Sequence, residues 1–243
     1  MEPVRTHRAR SVVEAARLHR ARYRREKGLT LVEGPHLIAD AVAAGAVVRE
    51  VYGVDPVDSG VIPVDHRALE RLAGTATPRG PIAVVEIPVE WMDPERNLLV
   101  SVGVSDPGNV GTMIRTAASF GWGFAYMEGS ADPWAPKTIR AGAGGQFQTP
   151  VSKIASLGEA AGWTLVATVP SGGEPPSDIA EPPVALLIGE EAHGLPDWAI
   201  TASSRRLTIP TSGTTDSLNA GVAAGIAVYE LTRKGSGEAG GDV

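Results

Sequence analysis

The chain has 243 residues, 43% of them hydrophobic, no cysteine and a formal net charge of −6. This length and apolar content predict one large or two small folded domains, with no apolar run near the length of a membrane span and no signal-peptide pattern at the start. The lack of cysteine excludes disulfides, thiol nucleophiles and thiolate metal sites, and it fits a cytoplasmic protein.

Charge is concentrated at the start. Residues 1–27 hold nine cations (Arg5, Arg8, Arg10, Arg17, Arg20, Arg22, Arg24, Arg25, Lys27) against three carboxylates, a net +6, and the other 216 residues carry −12. Such a basic arm can dock on a phosphate backbone although the whole chain is acidic. The alternative is a solvated helix with basic decoration. Residues 11–27 have helical composition, 29–33 read as a strand and 35–44 as a helix ending at Gly45. Strands are predicted over 47–52, 61–64 and 81–88, with Asp65 capping a helix over 66–73. Alternating strands and helices suggest a small α/β sandwich over 1–88, and the polar, proline-edged stretch 89–96 reads as a linker.

The second region, 97–234, has strand candidates at 98–104, 124–127, 164–168, 184–188 and 206–209. Helix candidates fall at 110–120, 135–141, 154–161 and 219–232. This is the rhythm of an α/β fold with an open, mostly parallel sheet and helices on both faces. Residues 171–183 read as a loop and 235–243 as a disordered tail.

Three segments gather polar residues and glycine where apolar strands end, which is where ligands sit in open α/β sheets. In Asp106-Pro-Gly-Asn-Val-Gly-Thr-Met-Ile-Arg115, Asn109 stands at an N-cap position and Arg115 is one long cation among small and apolar residues. In Gly189-Glu-Glu-Ala-His-Gly-Leu195 two carboxylates follow a buried strand, and Gly194 permits a tight turn. In the stretch 209–231 a hydroxyl-rich loop leads to Ser217-Leu-Asn219 and a helix of small residues. Each has a plain structural reading: Asn109, Ser217 and Asn219 as caps, Arg115 as a carboxylate's partner, Glu190 and Glu191 as surface charges. Five histidines without ligand spacing (His7, His19, His36, His66, His193) predict no metal. Phosphate-loop, dinucleotide and nucleophile-elbow signatures are absent.

Asn109–Arg115 as Asn-x-Gly-x-x-x-Arg, Gly189–Leu195 as Gly-x-Glu-x-x-Gly-Leu, and Ser217-Leu-Asn219 before a small-residue helix resemble, in order and spacing, the three motifs of the SpoU (TrmH-like) RNA ribose methyltransferases. Lys137-Thr-Ile-Arg140-Ala-Gly-Ala-Gly resembles that family's segment between the first two motifs. Val32-Glu-Gly34 and Thr77-Pro-Arg-Gly80 are similar to its L30e-like substrate-binding domain. Glu190, His193, Thr211, Asp216 and Arg79 depart from the family's common residues.

The resemblance implies a SPOUT fold with a C-terminal trefoil knot, S-adenosyl-L-methionine as cofactor, a homodimer with the site near the subunit interface, and a 2′-O-methylated ribose as product. It implies that Arg115 orients the target ribose, that Asn109 and Glu191 arrange Arg115 and the substrate, and that Ser217 and Asn219 support them. Leu187, Gly189, Ile209, Leu218 and Asn219 would hold the cofactor, and Arg140 and the nine N-terminal cations would contact RNA. The separate N-terminal domain favours rRNA over tRNA. A non-catalytic RNA-binding protein of the same fold and a small-molecule methyl acceptor are the competing expectations.

Overall fold

The computed structural model describes residues 4–54, 60–78, 80–179, 183–212 and 218–236. Ser217, Asp216 and Arg79 lie outside them, as do residues 237–243 of the expected tail. The chain divides into two compact units, and the division is not linear: unit 1 comprises residues 1–89 and 134–148, unit 2 comprises 90–133 and 149–243.

In unit 1, helices α1 (Arg10–Ala16) and α2 (Ala21–Lys27) replace the single helix expected there, because Arg20 between them is extended (φ −89°, ψ 122°). The basic segment is therefore not a free arm. Val12, Ala15 and Leu18 bury themselves in the unit 1 core beside Leu31, Tyr52 and Leu72. Strands β1 (Leu29–Glu33), β2 (Val48–Gly53), β3 (Val61–Pro63) and β4 (Ile82–Glu86) form one sheet in the order β1-β4-β2-β3. Only the β2–β3 pair is parallel. Helix α3 spans Pro35–Ala43, and α4 (His66–Ala73) starts where Asp65 accepts the Ala68 N–H at 2.7 Å, the predicted cap.

Unit 2 holds a wholly parallel six-stranded sheet. Its members are β5 (Leu98–Ser101), β6 (Gly123–Tyr126), β7 (Val151–Lys153), β8 (Thr164–Thr168), β9 (Val184–Ile188) and β10 (Arg205–Leu207), in the order β10-β8-β9-β5-β6-β7. From β5 the chain builds outward through β6 and β7, then returns on the other side, so β5 and β9 flank the point where strand order reverses. Helix α5 (Pro107–Ser119) follows β5; α6 (Pro136–Ala141) belongs to unit 1, where Arg140 pairs with Glu33 at 2.8 Å. Helices α7 (Asp197–Ala202) and α8 (Ala220–Ser236) complete the chain.

The sheet's two faces are packed separately. Leu98, Val100, Ala185 and Leu187 face a cluster with Leu157, Leu195 and Ala199, while α5 and α8 pack together. Close approach of α5 and α8 is possible because Gly221 faces Thr112, whose Cβ lies 3.1 Å from where a side chain would begin.

Three local expectations are corrected. In place of the helix expected over 154–161, just after strand β7, there is only one 3-10 turn, Leu157–Ala160, because Ser156 and Glu159 form a capping box that satisfies a single turn. Helix α7 had no predicted counterpart. The expected tail begins too early, since α8 includes Gly235 and Ser236.

Candidate active site

The expected cap of α5 is displaced by three residues. Asp106 is the N-cap, its Oδ1 accepting the Asn109 N–H at 2.9 Å, and Pro107 opens the helix. Asn109 is thus inside the first turn with its side chain released for other partners. Its Nδ2 donates to Glu191 Oε1, and its Oδ1 accepts from Asn219 Nδ2 at 2.9 Å. Asn219 at the same time caps α8, its Oδ1 accepting the Val222 N–H at 3.2 Å. The three motifs therefore meet through side chains from the carboxyl ends of β5 and β9 and the start of α8.

Arg115 does not join this chain. Six residues on a helix of 3.6 residues per turn rotate through about 240°, so Arg115 and Asn109 look in different directions. The Arg115 side chain is exposed, with no hydrogen-bond or ion-pair partner among the described residues. Among the described residues Arg115 therefore has no carboxylate as a structural partner, and neither Asn109 nor Glu191 holds it.

Beside the Asn219–Asn109–Glu191 chain lies a cavity of about 360 Å³, within the size range of small-molecule sites. It is lined by the end of β8 (Thr168, Val169, Pro170), the 188–195 loop, Ile200 of α7, Leu207 of β10 with Ile209 and Thr211 after it, and Leu218, Ala220 and Ala223 at the start of α8. Gly189, Ile209 and Leu218, three of the five residues expected at the cofactor, stand in the lining. Leu187 does not: it is fully buried among Leu98 and Val100 on the sheet's other side, and Ile188, one residue on, lines the cavity instead. Asn219 also lies off the lining, committed to Asn109. The β8 segment was missed, although its apolar run ends at the same edge of the sheet as the motif-bearing strands.

Backbone shape makes this cavity. A Cβ on Gly189 would meet the Gly194 carbonyl carbon at 2.2 Å and the Leu195 nitrogen at 2.3 Å, so the loop closes on itself only with glycine here. The Gly194 N–H donates to the Glu190 carbonyl at 2.8 Å, and Gly194 takes φ +67°. Val169, Leu195, Leu207, Ile209 and Leu218 supply apolar wall, while Glu190 and Glu191 supply acceptors. An apolar wall with acceptors beside it fits a ligand with a flat base, sugar hydroxyls and a cationic centre. Among the described residues no three His, Asp or Glu side chains cluster as metal ligands.

The basic residues of unit 1 separate into classes. Arg8, Arg20, Arg22 and Arg25 are exposed with no ion-pair partner among the described residues. Arg10 is exposed near Glu14. Arg17 pairs with Glu14 at 3.1 Å and lies over the Tyr23 ring, which Lys27 also approaches. Arg5 donates to Ser11. Arg24 is a correction: it is 2% exposed and donates to the Leu18 carbonyl at 2.7 Å, so it holds α2 to the turn before it and has no surface to offer RNA. Arg140, tied to Glu33, is likewise engaged within unit 1.

Residues 96–229 match the model of the SpoU rRNA Methylase family, and residues 10–83 match that of an MRM3-like substrate binding domain. The chain is 30% identical to the 23S rRNA (guanosine(2553)-2′-O)-methyltransferase RlmP of Bacillus subtilis, over 95% of this chain and 99% of that protein. Among solved structures it is similar to the SpoU methyltransferase AviRb of Streptomyces viridochromogenes in complex with AdoMet (28% identity, 93% and 98% of the two chains, TM-score 0.83). It is also similar to an AdoMet-bound rRNA methyltransferase of Sinorhizobium meliloti (25% identity, 96% and 98%, TM-score 0.81).

Proposed function

The chain belongs to the SpoU rRNA methylase family, and we propose that it transfers the methyl group of S-adenosylmethionine to a ribose 2′-hydroxyl of rRNA. One observation carries the reading: Glu191 both lines the cavity and accepts the Asn109 amide, so a bound small molecule and the polar chain Asn219–Asn109–Glu191 share one residue.

When bound, the cofactor supplies a methyl group on a sulfonium, already activated, so the protein's task is placement. Val169, Leu207, Ile209 and Leu218 would hold its apolar parts, and the backbone around Gly189 with Glu190 and Glu191 would hold its polar and cationic groups. A ribose 2′-hydroxyl is a weak nucleophile at neutral pH and must be oriented or relieved of its proton. Arg115, fixed as a cation, holds the ribose or its phosphate rather than acting as a base. Asn109, Asn219 and Ser217 position the substrate beside it.

A second copy of the chain belongs to the same reading. On α8, Val222, Ile226 and Tyr229 are exposed at i, i+4 and i+7, and Phe120 at the end of α5 packs on Tyr229 at 6.1 Å between ring centroids. Covering this stripe with its own counterpart makes a homodimer. Arg115, turned away from its own chain's Asn109, then serves a site completed by the partner. The C-terminal trefoil knot is part of this reading too, supported by segments far apart in the chain converging on the cavity. The MRM3-like match over residues 10–83 supports unit 1 as the rRNA-binding part, with Arg8, Arg20, Arg22 and Arg25 on phosphates. A cytoplasmic location for the enzyme is included in this reading.

The test is methylation mapping of total rRNA and tRNA from cells with and without the protein. One 2′-O-methylated rRNA nucleotide that disappears with it is expected; loss of a tRNA site alone, or of none, rejects the reading. For the dimer, Ile226→Glu should sediment as a monomer and lose methyl transfer.

A further inference from the structure

One side of the cavity is tied to the end of β10 by backbone bonds and by one side-chain hydroxyl. Thr208, the residue after β10, donates to the Val169 carbonyl at 3.1 Å and accepts the Gly173 N–H at 2.9 Å. Backbone bonds run alongside it: Val169 N–H to the Leu207 carbonyl at 2.8 Å, and Thr208 N–H to the Glu174 carbonyl at 2.9 Å. Gly173 lies so close that a Cβ there would stand 2.7 Å from Thr208 Oγ1 and 2.8 Å from the Leu207 carbonyl carbon. Beyond Gly173, Arg205 grips Glu174 with Nε at 2.9 Å and donates from Nη2 to the Asp178 carbonyl at 2.7 Å and to the second carboxylate oxygen. Val169 and Leu207 line the cavity, whereas Thr208, Gly173, Glu174 and Arg205 do not.

We propose that Thr208 is a positioning residue for the cofactor, fixing the 169–173 turn, and with it the Val169 wall of the cavity, against the end of β10 beside the Val169–Leu207 backbone bond. The inference rests on the reading that S-adenosylmethionine occupies this cavity. Removing the hydroxyl leaves the Val169 carbonyl and the Gly173 N–H without their shared partner. The turn between Val169 and Glu174 then loosens while the backbone bonds at its two ends remain, and the Val169 wall of the cavity shifts. Asn109, Asn219, Glu191 and Arg115 are untouched, so cofactor binding suffers and the transfer step does not.

The test compares wild type, Thr208→Val and Thr208→Ser by calorimetry with S-adenosylmethionine and with S-adenosylhomocysteine, and by initial rates against S-adenosylmethionine on an rRNA fragment. T208V should weaken both ligands and raise the cofactor KM roughly tenfold, the scale of one missing hydrogen bond. Its kcat should stay within about twofold of wild type, and T208S, which keeps the hydroxyl, should behave as wild type. Wild-type affinity in T208V, an equal loss in T208S, or a fall in kcat at unchanged KM overturns the inference. Failure of the wild type itself to bind S-adenosylmethionine overturns the cofactor reading and this inference with it. If T208V does not accumulate as folded protein, Glu174→Gln takes its place. A cofactor KM raised about twofold to threefold at unchanged kcat supports the pinning, and an unchanged KM rejects it.

Discussion

Asn219 donates its side-chain amide to Asn109 Oδ1 at 2.9 Å across 110 positions of sequence, and Asn109 passes its own amide on to Glu191. Asn109 is the middle member, accepting on one side and donating on the other. Asn109→Asp keeps the shape and the acceptor but sets a second carboxylate against Glu191. We expect kcat to fall about a hundredfold, in line with losing a hydrogen bond to a charged group and gaining like-charge repulsion. In a double-mutant cycle, Asn109→Ala and Asn219→Ala should couple by about 1 kcal/mol. Additive losses in methyl transfer would mean that the two amides act separately.

Arg115 is exposed on α5 with a free fork of donors, and lysine keeps its charge while losing that planar geometry. Arg115→Lys should lose about a hundredfold in kcat with the cofactor affinity unchanged, measured by single-turnover methylation and calorimetry. Full activity in R115K would remove the orienting role.

Gly189→Ala tests the backbone cradle. A methyl group there would overlap the Gly194 and Leu195 backbone at 2.2 to 2.3 Å, and no flexible side chain is available to yield. The 189–195 loop must open, so G189A should show no calorimetric heat with S-adenosylmethionine at concentrations that saturate wild type. Retained binding would show that the loop shifts without cost to the cavity.

The basic residues of unit 1 predict opposite outcomes for neighbours in sequence. Replacing exposed Arg20, Arg22 and Arg25 by Gln should leave thermal stability intact and flatten the salt dependence of rRNA binding, by about 0.7 to 0.9 in log–log slope for each phosphate no longer neutralised. Replacing Arg24 by Ala should instead lower the melting temperature, because a buried cation that donates to the Leu18 carbonyl is removed. An unchanged slope in the triple variant would take α2 out of the RNA interface.

Two carboxylates give the fold an acid dependence. The Arg205 guanidinium beside Glu174 holds its carboxyl below the usual range, and Glu14 is held low by the Tyr23 hydroxyl and then by Arg17. A carboxyl lowered in the folded state adds stability that is fully present above its unfolded value, about 4.3, and lost as pH falls through the lowered folded value. Scanning calorimetry from pH 7 to pH 3 should therefore show the melting temperature falling below about pH 4.3, with a shallower fall in Glu174→Gln. An identical fall in E174Q would assign the acid sensitivity elsewhere.

Much of the site was legible because short motifs follow strands whose composition is unambiguous. The apolar run at 184–188 becomes β9 within its predicted bounds, and Gly189 turns where a ligand loop is expected. Asn109 reads as a cap in the sequence, yet the preceding Asp-Pro pair competes for that role and wins by placing proline at the first helical position. The β8 contribution was invisible because nothing in Thr168-Val-Pro170 carries chemistry; those residues matter only for where parallel pairing with β9 puts them.

By itself, the sequence determined most of the element types, the order of the three motifs and the chemistry that each could bring, since these follow from local periodicity and residue type. Only the tertiary structure decided which of those groups meet. It joined Asn219, Asn109 and Glu191, turned Arg115 away from them, buried Arg24 among its neighbours and drew residues 134–148 into unit 1. The physical reason is the same in each case. Helix phase, strand order and core packing set the direction of a side chain, and strand order and packing are set by pairings between residues far apart in the chain.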